Sequence, residues 1–185
     1  MQVTINANGK TVQAEISEGQ LKELGLVEQL KKLGLLEDKP RTGYEGREEC
    51  NNKKHYFVNT IDLVIEDENT VLFDQNRYDV GNCYSDKTIA ENNARADRLL
   101  RQLRQWQAQN DEPISISDWK NEGIIKYFIA YNYRSSLFEI GRCSRRREPN
   151  IIYFTTKDKV SKAVKNFRDE LEWYFTEYQQ RLDEE

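Results

Sequence analysis

The sequence predicts an α+β fold. Two tandem copies of a small antiparallel β-sheet, each followed by one long helix, are preceded by an N-terminal β-hairpin and short helices. Three observations lead there. Short alternating apolar stretches, separated by turn residues, occur before Ser85 and again after Ile124, which is the period of half-buried strands. Each set runs into a stretch with helical apolar spacing. The two sets also share landmarks: Tyr56-Phe57 matches Tyr127-Phe128, and Cys83-Tyr84-Ser85-Asp86-Lys87 matches Tyr153-Phe154-Thr155-Thr156-Lys157. Phe57 to Tyr84 is 27 positions and Phe128 to Phe154 is 26. A sheet with one helix across it buries only one face, so two such units are expected to pack together. The resulting division is 1–40, 41–112 and 113–185.

Taken in order, Val3, Ile5, Val12, Ala14 and Ile16 alternate around Asn8-Gly9. Asn-Gly supplies the positive φ angles of a type I′ turn, so this reads as a hairpin. Ser17 with Gln20 forms a capping-box pattern. Leu21-Lys-Glu-Leu24-Gly25-Leu26 recurs as Leu30-Lys-Lys-Leu33-Gly34-Leu35, which reads as two short helices ended by glycines, or as one broken helix. Lys39-Pro40 to Gly46 is the boundary loop. His55 to Ile65 reads as a strand region, and Val71-Leu72-Phe73 and Tyr78-Asp79-Val80 as further short strands. Ser85 is the expected N-cap of a helix over about 86–109, with Ile89, Ala96, Leu99, Leu100, Leu103 and Trp106 within an arc of roughly 120°. Strands follow at Ile124 to Tyr133, Leu137 to Ile140 and Ile151 to Phe154. Thr155 then caps a helix over about 157–180, with Val160, Ala163, Val164, Phe167, Leu171, Tyr174, Phe175 and Tyr178 as its stripe.

Composition narrows the function. Charged residues reach 32%, yet aromatics are 11%, and disordered chains lack aromatics. No apolar run approaches the roughly 18 residues of a membrane span. Met1-Gln-Val-Thr lacks the basic and apolar regions of a signal peptide, so a cytoplasmic location is expected. Cys50, Cys83 and Cys143 are odd in number and show no C-x-x-C pair. Buried reduced thiols are therefore expected, with no metal and no cofactor. Residues 1–86 carry 10 Lys/Arg against 16 Asp/Glu, whereas 87–109 carry 5 against 2. An acidic front beside a basic helix gives the protein two electrostatic faces.

Catalytic constellations are not evident. His55 is the single histidine, without a triad or zinc-ligand context. Phosphate-loop glycine patterns do not occur. Glu66-Asp67-Glu68-Asn69 reads as an exposed hairpin tip whose carboxylates diverge. No enzyme is expected.

The arginines carry more. Arg95, Arg98, Arg101 and Arg104 lie outside the apolar arc of the first long helix. Glu91 can pair with Arg95 and Asp97 with Arg101 at i,i+4, which leaves Arg98 and Arg104 without helix partners. Arg142, Arg145, Arg146 and Arg147 crowd a loop between two expected strands, and guanidinium groups grip phosphates or carboxylates bidentately. Trp173 points roughly 140° from its helix stripe. Exposed Trp and Tyr, with Tyr131 and Tyr133 alternating on a strand, are interface chemistry beside Arg. The expected contact set for a partner or an anion is Arg98, Arg104, Arg142, Arg145, Arg146, Arg147 and Trp173.

The opening Val3-Thr-Ile-Asn-x-Asn-Gly-Lys-Thr-Val-x-Ala-Glu-Ile-Ser-Glu-x-Gln-Leu-Lys-x-Leu-Gly-Leu26 resembles small phage and prophage proteins of Gram-positive bacteria. Thr42-Gly43-Tyr44-Glu45, the block Arg77 to Lys87 and the ending Phe167 to Tyr178 are similar as well. The resemblance implies origin in a bacterial host cell and carries no reaction. Phage accessory proteins of this size often disable a host defence component, anti-CRISPR proteins among them, and that step is analogy. The expectation is a binding protein that blocks a host protein or nucleoprotein, such as a CRISPR nuclease. The alternatives are a nucleic-acid-binding regulatory protein, whose affinity falls with salt, and a nucleotide-sequestering sponge with an arginine-lined pocket.

Overall fold

A computed structural model describes residues 2–7, 10–15, 17, 19, 41–44, 54–67 and 76–184. Of the helices expected over residues 17–35 only Ser17 and Gly19 are described, and the strand expected at Val71-Leu72-Phe73 lies outside the described residues. The chain divides into two compact units, Met1–Pro40 and Arg41–Glu185. In the first, β1 (Gln2–Ala7) pairs antiparallel with β2 (Lys10–Glu15), Ala7 opposite Lys10. The turn residues Asn8 and Gly9 lie outside the described set.

The second unit is mixed α+β with small antiparallel sheets. β3 (His55–Val58) pairs with β4 (Val64–Asp67), Phe57 opposite Ile65. The strand region expected over His55 to Ile65 is a two-stranded hairpin. Asn59 makes the turn: its Oδ1 accepts from the N–H groups of Ile61 and Leu63, each at 3.0 Å, and Asp62 takes a φ of 61°. Asn and Asp tolerate this geometry and bond their own backbone. The hairpin tip is thus Asn59–Leu63, and Glu66 and Asp67 lie within β4.

Tyr78-Asp79-Val80 is not a strand. Residues 76–79 form a helical turn that ends in a Schellman motif. Asn82 N–H bonds Arg77 O at 2.8 Å and Gly81 N–H bonds Tyr78 O at 2.9 Å, with Gly81 at φ 74°. Glycine takes this left-handed position without Cβ strain. Asn82 then mimics a neighbouring strand, its side-chain amide exchanging two 2.8 Å bonds with the backbone of Val58. Two residues on, Tyr56 and Tyr84 form an antiparallel bridge. Cys83 is disulfide-bonded, which corrects the expectation of reduced thiols for this residue. Spacing along a chain does not report which sulfurs the fold brings together.

α1 (Lys87–Asn110) is capped by Asp86, not Ser85: Asp86 Oδ1 accepts from the N–H groups of Thr88 at 2.8 Å and Ile89 at 3.1 Å. Ser85 is engaged elsewhere, donating its N–H to Gly43 O at 3.0 Å. Ile89, Ala90, Ala94, Ala96, Leu99 and Leu103 are buried along the helix. Tyr56, Val58 and Val64 pack on its first half, near Ile89 and Ala90. Gly43, at φ 84°, lies so close to Ile89 that a Cβ would meet the Ile side chain at 2.9 Å.

A five-residue helix, α2 (Ile116–Lys120), escaped the sequence reading, although Ser115 and Asp118 form a reciprocal capping box. β5 (Lys126–Asn132) is the centre of a three-stranded sheet between β6 (Leu137–Cys143) and β7 (Tyr153–Phe154). β6 extends beyond its expected end at Ile140, so Arg142 stands on a strand. β7 holds only the last two of four expected residues.

The last helix is broken. α3 (Lys157–Asn166) and α4 (Arg168–Thr176) meet at Phe167, whose φ −115° and ψ 24° are not helical. Thr156 caps α3. Thr155, the expected cap, instead gives its N–H and hydroxyl to Asp111 at the end of α1. Leu99, Leu103, Phe154, Val160, Ala163 and Leu171 form the core joining both sets of elements.

Candidate binding surface

Three segments converge on Lys126. Its side chain is buried (1% exposed), and its ammonium donates to the backbone carbonyls of Asp118, Ile124 (2.8 Å) and Ser144 (2.8 Å). An ammonium carries three donors, and here each finds a carbonyl. It also lies 4.9 Å from the centre of the Trp119 ring, a cation–π contact. Lys126 thereby ties α2, the 121–125 loop and the 144–147 loop into one lobe. Trp119 packs edge-on against Tyr153 at 4.9 Å, and Tyr153 against Phe128 at 5.7 Å. The Phe128 ring covers Gly141, where a Cβ would approach it to 2.3 Å.

Arg147 borders this aromatic base, whereas Arg142, opposite Tyr127 on β6, belongs to the other face of the sheet. Arg142, Arg145, Arg146 and Arg147 are all exposed. Arg145 pairs with Glu122, and the Arg147 guanidinium lies 5.9 Å from the Trp119 ring centre. Arg142 and Arg146 form no ion pair with the described residues. Ile124 and Ile125 on the adjoining loop are exposed, as is Ile116 on α2. Cys143 Sγ bonds Arg146 O at 3.2 Å, and burial pushes its thiol pKa upward, against the pull of Lys126.

The other expected site residues are dispersed. Arg98 is not unpartnered: its Nε meets Asp62 Oδ2 at 3.3 Å, while Arg101 takes Asp62 Oδ1 at 2.5 Å. The expected pairs Glu91–Arg95 and Asp97–Arg101 give way to Lys87–Glu91 and Arg95–Glu170. Arg104 is exposed, with no ion pair among the described residues. Trp173 is the main correction. It is 8% exposed, stacked under Arg95 at 4.0 Å and beside Tyr178 at 5.5 Å. The helix break at Phe167 re-aims α4, so an angle projected from a straight helix misplaces it. Tyr133 is 72% exposed, whereas Tyr131 is stacked on Phe175. His55 is buried at the start of β3.

No protein-family model matches the chain, nor does any curated protein or solved structure. The chemistry of the lobe therefore rests on its own residues. Among the described residues, no group of three or more His, Cys, Asp or Glu side chains could hold a metal, and no helix is long and apolar enough to cross a membrane.

The sequence reading missed Trp119, Lys126 and the three isoleucines. A capping box at Ser115 marks α2, but only the fold sets Lys126 beneath it. The resulting surface offers aliphatic contact beside cationic groups that carry unused donors, an arrangement suited to an acidic, partly apolar partner.

Proposed function

We propose that this is a non-enzymatic accessory protein of a phage or mobile element. It binds a host protein or nucleoprotein through the Arg142–Arg147 lobe and inhibits it by occlusion, a CRISPR-type defence nuclease being the leading target class. The observation that carries the reading is that exposed Arg142 and Arg146, without ion pairs among the described residues, flank a segment that Lys126 ties to the loop of exposed Ile124 and Ile125. A hot spot needs such preorganised contact, since ordering loose side chains offsets affinity.

The reading includes a tandem duplication of the β-sheet and helix unit. The Tyr56–Tyr84 bridge and the Tyr127–Phe154 pair fall at the positions the sequence match equates. Both caps, Asp86 and Thr156, sit at matching places as well.

The test is affinity capture from Gram-positive host extract, with and without nuclease, comparing the natural chain with Arg142→Glu/Arg146→Glu/Arg147→Glu. A stoichiometric protein partner that survives nuclease and is lost by the triple variant supports inhibition. The exposed positions should leave circular dichroism unchanged. Recovery of nucleic acid alone, with log affinity falling linearly in log salt, moves the function to nucleic-acid binding. Unchanged partner binding by a folded variant removes this lobe as the contact.

A further inference from the structure

A groove of about 520 Å³ runs between the first half of α1, the 59–63 turn and α4. Leu63, Val64, Ala94 and Leu99 supply its apolar walls, and Asp62, Glu91, Arg95, Arg98, Gln102 and Glu170 its polar groups. That volume falls in the small-molecule range, and the lining is mixed, with more polar than apolar side chains.

Charge is unevenly settled there. Arg95 and Glu170 are mutually satisfied by two bonds, 2.8 and 3.1 Å, with Arg95 stacked on Trp173. Glu91 faces Lys87 at 3.5 Å. At the rim, Asp62 is one carboxylate shared by two guanidiniums, Arg98 of the lining and Arg101 just outside it, which leaves a positive charge in excess. The Arg98 contacts are long, 3.3 and 3.4 Å, and Arg101 uses a single donor nitrogen. Each guanidinium carries five N–H donors, so most remain for an incoming anion. Asp62 is presented from a left-handed backbone position in an exposed turn.

We propose that this groove binds a nucleotide-sized organic phosphate. The phosphate bridges Arg98 and Arg101 beside or in place of Asp62, because planar guanidiniums match phosphate oxygens bidentately. The organic body lies on Leu63 and Val64, and amine donors of a base reach Glu91, Glu170 or the Gln102 amide. The residues involved are separate from the Arg142–Arg147 lobe, so this proposal and the partner-binding reading stand or fall independently.

The test is calorimetric titration of the full chain with the four nucleoside monophosphates, the matching nucleosides and inorganic phosphate. At least one monophosphate should bind more than about tenfold tighter than its nucleoside or phosphate alone. Arg98→Gln and Arg101→Gln should each weaken it by about tenfold or more. Arg104→Gln, further along the same helix, should not. Leu63→Ser should weaken the nucleotide and leave any phosphate binding unchanged. The broken ion pairs are solvent-exposed and each contributes little to folding, and circular dichroism verifies the fold. Absence of binding by all four at about 1 mM overturns the proposal. So does equal affinity for inorganic phosphate, which would mean a bare cationic patch, and so does unchanged binding by a folded Arg98→Gln/Arg101→Gln variant.

Discussion

Lys126 and Trp173 show how far a residue's role depends on its surroundings. Lys126 falls inside the expected Ile124 to Tyr133 strand with nothing in the sequence to mark it, yet it is buried and donates to three carbonyls. Replacing it with Met leaves those acceptors without their donor. A loss of about 2–4 kcal/mol in urea denaturation is expected, since an unsatisfied buried group costs roughly 1–3 kcal/mol. Trp173 reads as an interface anchor on an ideal helix and is a core residue instead. Trp173→Ala should cost about 3–5 kcal/mol of stability while leaving partner affinity of the folded fraction unchanged. A stable variant with lost binding would return Trp173 to the surface. Asp118 supplies a pH signature. Hydrogen bonds from the Ser115 hydroxyl and N–H hold its carboxyl below the usual range, with Lys126 adding to the effect. A lowered folded-state pKa gives stability that is present above the unfolded value of about 3.9 and is lost as pH falls through the folded value. The stability gap between the natural chain and Asp118→Asn should therefore narrow as pH drops from about 6 to about 2.

Among the elements, strong periodicity was readable and local interruptions were not. α1 runs Lys87–Asn110 against an expected 86–109, because its burial stripe and Asp86 both act locally. The caps moved one residue along, to Asp86 and Thr156. In each case the preceding hydroxyl residue is engaged by a distant segment, Ser85 by Gly43 and Thr155 by Asp111. Thr156→Ala should then cost about 1 kcal/mol and Thr155→Ala should also destabilise, by breaking the tie to α1. Thermal melts of both separate capping from tethering. Tyr78-Asp79-Val80 has residues that favour strands, but Gly81-Asn82 closes a helical turn there, a C-terminal signal outweighed in the sequence by the apolar flanks.

For the whole molecule, the oxidised state of Cys83 matters most. Disulfides persist in oxidising surroundings and are rare in a reducing cytoplasm. Cys143 is the free thiol among the described residues, half-buried and with a raised pKa. Alkylation of the native protein at neutral pH should therefore be slow, and full reduction in denaturant should expose all 3 cysteines. Reductant should also lower the melting temperature, because a native disulfide stabilises the folded chain. Three rapidly reacting thiols in the unreduced protein would contradict this picture. By itself the sequence determined the α+β class, the long α1, the strand cores at Tyr56-Phe57 and Tyr127-Phe128 and the run of arginines at 142–147, since apolar period and turn chemistry are local properties. Tertiary structure alone decided the break at Phe167, the burial of Trp173 and Lys126, and the sharing of Asp62 by Arg98 and Arg101. Those depend on which distant segments meet, and a charge or an aromatic ring is core or surface according to what the rest of the chain places against it.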